Sequence, residues 1–213
     1  MNRLRLLGFA VPMAALAAVL VAVFAGGAAG GAGNHLIRWD LIQLAGGPAP
    51  ATITLSPGGK DSALANDGSK ITLTGSGTFR SNPGGPQSVT GGGTWWTFTP
   101  TGSQTGTGTY TVTGFVSFAV APGGLPFPPF QDNIVGDNSA ARAGLAVLQI
   151  AYSDGSEGVV TVSCDLPTTP ASFPLFEGIT ASKGPIGYWN RLAPTGGPTF
   201  GPNENRTAFR VLR

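Results

Sequence analysis

Apolar and hydroxyl-bearing residues alternate along most of the chain. Residues 51–55 alternate Ala, Ile and Leu with Thr, and residues 108–120 alternate mainly Val and aromatic residues with Thr and Ser. A period of two residues is typical of a β-strand with one buried side and one solvent-facing side. Asp154 and Gly155 lie between two apolar runs, a pattern that indicates a β-hairpin. The pattern therefore predicts one all-β domain over residues 34–213.

Turn-forming residues separate the predicted strands, since the chain contains 34 Gly and 18 Pro. About seven to nine strands in a domain of this length are typical of an antiparallel β-sandwich or a jelly-roll-like fold. A closed β-barrel is the alternative, because the pattern does not show which strands pair. Gly75 and Gly77 interrupt the apolar side of one long alternating segment and predict a bend or bulge there.

The first 33 residues follow a different pattern and predict a secretory signal. Arg3 and Arg5 precede an uninterrupted apolar run at residues 6–24, and only Ala and Gly follow up to residue 33. Basic, apolar and small residues in this order are typical of a signal peptide. We therefore expect residues 1–33 to contain a signal peptide and its small-residue cleavage region, and the domain to be secreted or held at the cell surface. The apolar run is close to the roughly 20 residues that span a bilayer, so an uncleaved membrane anchor is the alternative.

The charge of the chain limits the partners that can be expected, and its cysteine content limits the disulfides. Arg3 and Arg5 leave with the signal, so the 12 Lys and Arg of the whole chain fall to ten, which equals the number of Asp and Glu. A neutral surface excludes nucleic acid as an expected partner, and it limits membrane contact to an uncleaved N-terminus. Cys164 is the single cysteine, so no intramolecular disulfide can form. Its place on the valine side of a predicted strand predicts a buried thiol.

Few residues are suited to catalysis. His35 is the only histidine, and the chain has no HExxH, nucleophile-elbow or phosphate-binding motif, so we expect no metal and no cofactor. Carboxylates are the remaining option, because glycoside cleavage uses a pair of Asp or Glu side chains. Glu177 has apolar neighbours that would raise the pKa of its carboxyl group. Asp132 and Asp137 lie in a long loop over residues 121–141, and either of them is a candidate second carboxylate.

Aromatic side chains are the second set of candidate site residues. Trp95 and Trp96 are adjacent in a predicted strand, so they point to opposite faces, and we expect Trp95 to face outward as a platform for a sugar ring. The sequence Asn205-Arg206-Thr207 matches a glycosylation sequon and predicts an exposed position. The candidate ligand-binding residues are Trp95, Phe127, Phe130, Tyr188 and Trp189.

Together these patterns predict an exported, non-enzymatic binding or surface module, with an extracellular carbohydrate or a surface partner as the expected ligand. A carboxylate-dependent hydrolase or lyase acting on a glycan is one alternative, with Glu177 and Asp132 or Asp137 as its catalytic pair. A subunit of an extracellular assembly is another, because Thr-rich strands with little charge leave sheet edges open to strand addition.

Overall fold

The structure is a computed structural model that describes residues 35–46, 52–81, 88–195 and 204–212. The predicted signal peptide or membrane anchor lies outside these residues. Within them no helix has the length and apolar character needed to cross a membrane. A short 3₁₀ helix spans Asn138–Ala140. The strands are β1 (Leu36–Gly46), β2 (Ile53–Pro57), β3 (Asp61–Leu64), β4 (Lys70–Leu73), β5 (Ser76–Arg80), β6 (Val89–Phe98), β7 (Gln104–Ala121), β8 (Phe130–Asp132), β9 (Ala141–Tyr152), β10 (Glu157–Cys164), β11 (Gly178–Lys183), β12 (Ile186–Tyr188), β13 (Asn190–Arg191) and β14 (Thr207–Leu212).

Six of these strands form a closed antiparallel barrel in the order β9-β14-β1-β5-β6-β7, which returns to β9. The closing strand is β7, the longest of the set, because its first half pairs with β6 and its second half with β9. The all-β prediction is confirmed. The sheet forms the barrel given above as the alternative, rather than the favoured β-sandwich, because one long strand joins its two ends.

Aromatic side chains fill the interior of the barrel. Phe79 stacks on Phe115 with ring centroids 4.8 Å apart, and Phe118 lies 5.1 Å from Phe79 and 4.9 Å from Phe209. Trp39 on β1 is fully buried among the core residues. A barrel with few strands has room inside only for side chains. Any site for a ligand is therefore on the outside of the barrel.

Two bulges in β7 change which residues face inward. The pairing with β9 shifts between Val112 and Gly114 and again between Phe115 and Ser117. Simple alternation places Val116 on the same side as Tyr110, but Val116 is 53% exposed. Each bulge adds one residue to β7 and moves the following side chains to the other face. As a result Phe115 and Phe118 both pack against the core.

The predicted bend lies between β4 and β5, where the long alternating segment is split in two. Gly75 has a φ of +154°, a conformation that side-chain-bearing residues rarely adopt. A Cβ atom at this position would lie 2.3 Å from the hydroxyl oxygen of Tyr110, which donates a hydrogen bond to the carbonyl of Thr74 at 2.8 Å. The close approach of Tyr110 explains why glycine is needed there.

The remaining strands lie outside the barrel. β10, β11 and β12 extend the sheet from β9, and β4, β3 and β13 extend it from β6. β2 pairs with the second half of β1, and β8 runs parallel to β2, which brings the loop over residues 121–141 against the barrel. Cys164 at the end of β10 is fully buried, as predicted, and its Sγ donates to the carbonyl of Thr207 at 3.4 Å.

A buried ion-pair network ties this loop to the barrel. Arg210 on β14 is fully buried and pairs with Asp132 of the loop and with Asp40 of β1. Arg38 contacts the same Asp40 carboxylate through two nitrogen atoms at 2.8–3.1 Å. Asn138 also holds the loop, since its Nδ2 donates to the carbonyl of Phe130 at 2.8 Å. The loop is therefore an ordered part of the fold.

Candidate functional site

A cavity of about 240 Å³ lies outside the barrel, between the β1–β2 pair, the loop that carries β8, and the segments beside β10, β11 and β14. We call it the amphipathic pocket, because both apolar and polar side chains line it. The apolar group is Ile42, Leu44, Ile53, Leu55, Leu125, Phe130, Leu166 and Pro167, and the polar group is Asp165, Glu177, Arg206 and Thr207.

Local sequence explains the apolar side of the pocket. Alternation in β2 sends Ile53 and Leu55 to the same face, and both line the pocket. Ile42 and Leu44 come from the part of β1 that extends beyond the barrel and pairs with β2. Phe130 opens β8, which adds to the far edge of β2. Three neighbouring strands therefore supply one continuous apolar surface.

Glu177 lies at the polar side of the pocket and connects two distant segments. One carboxylate oxygen accepts a hydrogen bond from the backbone amide of Thr207 at 2.6 Å, and the other accepts from the amide of Asp165 at 2.6 Å. Removal of the carboxyl group from water raises its pKa to about 8, although the two amides and Arg206 act in the opposite direction. Burial thus favours the protonated form of Glu177 in the folded protein, against the two amide donors.

Arg206 and Asp61 lie beside Glu177. Asp61 is fully buried, and its Oδ1 accepts a hydrogen bond from the backbone amide of Arg206 at 3.1 Å. Burial and the nearby charge of Glu177 raise the pKa of the Asp61 carboxyl group well above its usual value. Within the described residues, the Arg206 guanidinium makes no hydrogen bond or ion pair, and its Nε is buried. A cation with unused donors thus lines an otherwise largely apolar cavity.

The structure does not bring Glu177 into contact with the carboxylates proposed as its catalytic partners. Asp132 pairs with Arg210, and its Oδ1 accepts from the amide of Ile134 at 2.8 Å. Asp137 caps the short 3₁₀ helix by accepting from the amide of Ser139 at 2.8 Å. Both loop carboxylates therefore have structural partners. The carboxyl group whose pKa is raised by the charge of Glu177 is that of Asp61.

Trp95 and Tyr188, two of the predicted ligand-binding residues, meet in a second cavity of about 580 Å³ that we call the polar groove. Trp95 is 3% exposed and Tyr188 is 2% exposed, so neither ring is an open platform. The ammonium group of Lys183 lies 4.5 Å from the Trp95 ring and pairs with Asp154. The expected outward position of Trp95 is corrected, because the inner side of β6 faces the core.

The other three predicted aromatic residues do not share one site. Phe130 lies in the amphipathic pocket with Glu177. Phe127 is 68% exposed and Trp189 is 71% exposed, and neither lines the amphipathic pocket or the polar groove. A ligand contact through Phe127 or Trp189 stays a prediction.

The glycosylation sequon lies in a buried position, which corrects the expectation of exposure. Asn205 is 1% exposed. Its Oδ1 accepts from the amide of Ser62 at 2.7 Å, and its Nδ2 donates to the carbonyl of Ala193 at 2.9 Å. The side chain joins three segments of the fold and is not available to a modifying enzyme in the native state.

Sequence reasoning did not single out Arg206 or Asp61 as site residues. Both are charged residues that stand next to apolar strand residues in the sequence. Such residues are conspicuous in a chain of which only 10% is charged. Charged side chains are rarely buried without a partner, so each one next to a strand is worth testing as a site residue. The distance between the two residues in the chain prevented the sequence from pairing them.

No metal centre accompanies the pocket in the ranges that the structure describes, where no three or more His, Cys, Asp or Glu side chains are grouped to hold an ion. Comparisons with protein-family models, with curated proteins and with solved structures found no match for this chain. Function is therefore inferred from the geometry of the amphipathic pocket.

Proposed function

We propose that the protein is an exported, non-enzymatic binding module that holds a small ligand in the amphipathic pocket. The observation that carries the proposal is a single cavity whose lining combines apolar side chains from β1, β2 and β8 with the polar side chains of Glu177, Arg206 and Thr207. Ligand sites are typically apolar concave surfaces with a few polar groups that fix the orientation of the ligand. Export rests on the predicted signal at residues 1–33.

Binding is favoured over catalysis by the contacts of the carboxylates. Hydrolysis of a glycan needs two carboxyl groups that face one reacting bond. Both oxygens of Glu177 accept backbone amides, and Asp132 and Asp137 belong to other hydrogen-bond networks. A carbohydrate at the Trp95 ring is less favoured, since Lys183 covers that ring. A role in an extracellular assembly stays a prediction.

A small neutral probe tests the pocket without assuming the charge of the natural ligand. We suggest 1-heptanol, because a cavity of 240 Å³ holds about eight non-hydrogen atoms at the ~30 Å³ that each water occupies in the liquid. Saturation-transfer NMR with the full chain is expected to show transfer from the protein to 1-heptanol.

A matched pair of variants locates the bound probe. Leu44→Trp places a large ring in the pocket and is expected to abolish the transfer. Val120→Trp adds the same ring at an exposed position, since Val120 is 61% exposed, and is expected to leave the transfer unchanged. Absence of transfer to the unaltered protein, or equal transfer with Leu44→Trp, would contradict the proposed pocket.

A further inference from the structure

The polar side chains of the amphipathic pocket indicate the chemical class of the ligand, provided that this pocket is the binding site proposed above. Arg206 is the positively charged residue of the pocket lining. Its guanidinium makes no hydrogen bond within the described part of the chain, and its Nε is shielded from water. A buried donor without an acceptor is unfavourable, so an acceptor supplied by a ligand would be stabilised there.

We infer that the pocket binds a short amphipathic carboxylic acid, with its alkyl chain on the apolar wall and its carboxylate on Arg206. A guanidinium presents two parallel N–H donors that match the two oxygens of a carboxylate. Phe130, Leu55 and Leu125 offer the alkyl chain an apolar surface in the same pocket. The volume of the pocket accommodates about eight non-hydrogen atoms of such a ligand.

Glu177 and Asp165 are the lining residues that would oppose an anionic ligand, and protonation of Glu177 reduces this repulsion. The titratable groups that face it are the carboxyls of Asp165 and Asp61, the thiol of Cys164 and the guanidinium of Arg206. Its pKa of about 8 leaves the side chain mainly neutral at pH 7. The carboxylate of a ligand then meets the Arg206 cation and the protonated Glu177, with the Asp165 carboxyl group also on the pocket lining. Above the pKa, the ionised Glu177 repels the ligand.

Three probes of matched size separate the possible charges of the ligand. Hexanoate, 1-heptanol and heptylammonium each contain about eight non-hydrogen atoms, the number that fits the pocket. With the full chain near pH 6.5, we expect hexanoate to bind about tenfold more tightly than 1-heptanol, since a hydrogen bond to a charged group is worth ~1.5–3 kcal/mol. Heptylammonium is expected to bind more weakly than 1-heptanol.

Two charge-matched variants assign the effect to Arg206. Arg206→Gln is expected to remove the tenfold preference for hexanoate over 1-heptanol measured on the same variant. Arg191→Gln removes one positive charge at an exposed position outside the pocket and is expected to change neither affinity. Near pH 9 the preference of the unaltered protein for hexanoate is expected to fall about threefold or more, as Glu177 ionises.

The outcomes separate this inference from the proposed function. If 1-heptanol binds but hexanoate binds no more tightly, or if heptylammonium binds best, the pocket stands and the carboxylate inference is overturned. If the preference for hexanoate survives in Arg206→Gln, Arg206 is not its charge partner. If none of the three probes binds, the proposed function fails as well.

Discussion

Loss of the buried cation Arg210 is expected to destabilise the protein strongly, and the structure allows the size of the effect to be worked out. Arg210→Met keeps an unbranched side chain of similar reach but removes the charge. Removing one partner of a buried ion pair typically costs about 3–5 kcal/mol, because the other charge is left without compensation. Asp40 keeps its three hydrogen bonds from Arg38, so Asp132 is the carboxylate that loses its cation. We therefore expect the low end of the range, about 3 kcal/mol.

Urea unfolding followed by tryptophan fluorescence measures this change, since Trp39 and Trp95 are both buried and respond to loss of the core. Arg142→Met is the control, because the guanidinium of Arg142 donates to backbone carbonyls and pairs with no carboxylate. The control is expected to lose about 1 kcal/mol or less.

A double variant tests the stated cause. Arg210→Met combined with Asp132→Asn removes both charges of the pair, so it is expected to recover at least about 1 kcal/mol relative to the sum of the single changes. A loss below about 1 kcal/mol in Arg210→Met would refute the reasoning that this network is an energetically coupled ion pair. Simple additivity in the double variant would show that the loss comes from packing instead.

Two further predictions concern single residues. Burial raises the folded-state pKa of Glu177 to about 8 from 4.5, so its contribution to stability is fully present below about pH 4.5 and is lost as the pH rises through about 8. Glu177→Gln is therefore expected to gain stability relative to the unaltered protein between pH 5 and pH 9 in urea titrations, and parallel pH profiles would contradict this. Gly75→Ala is expected to cost about 2 kcal/mol or more, since its Cβ would meet the Tyr110 hydroxyl. Gly102 also has a positive φ, of +88°, but open space around it, so thermal unfolding of Gly102→Ala should show a loss of only about 1 kcal/mol, and equal losses would rule out the steric cause.

The prediction of strands succeeded where the signal is local. The hairpin around Asp154 and Gly155 appears as β9 and β10, and the bend at Gly75 separates β4 from β5. The same reasoning was less accurate along β7, because a bulge changes the facing of every later residue and leaves no clear mark in the sequence. Val116 faces solvent for that reason.

The candidate site was predicted only in part. Phe130 and Glu177 were both named from the sequence, and the structure brings them into one pocket. Their joint position depends on β8 pairing with β2 and on the loop being held by Arg210. Trp95 was expected outside, but its side of β6 faces the core. An alternating pattern identifies two faces of a strand without showing which one the rest of the chain covers.

The sequence by itself determined the all-β class, the turns and the burial of Cys164, because these depend on residues within a few positions of one another. The tertiary structure decided the closure of the barrel and the composition of the pocket. The amide of Arg206 donates to Asp61 across 145 positions of the chain, and Glu177 contacts Thr207 across 30. Contacts over such separations depend on how the whole sheet closes, and a pattern with a period of two residues carries no information about that closure.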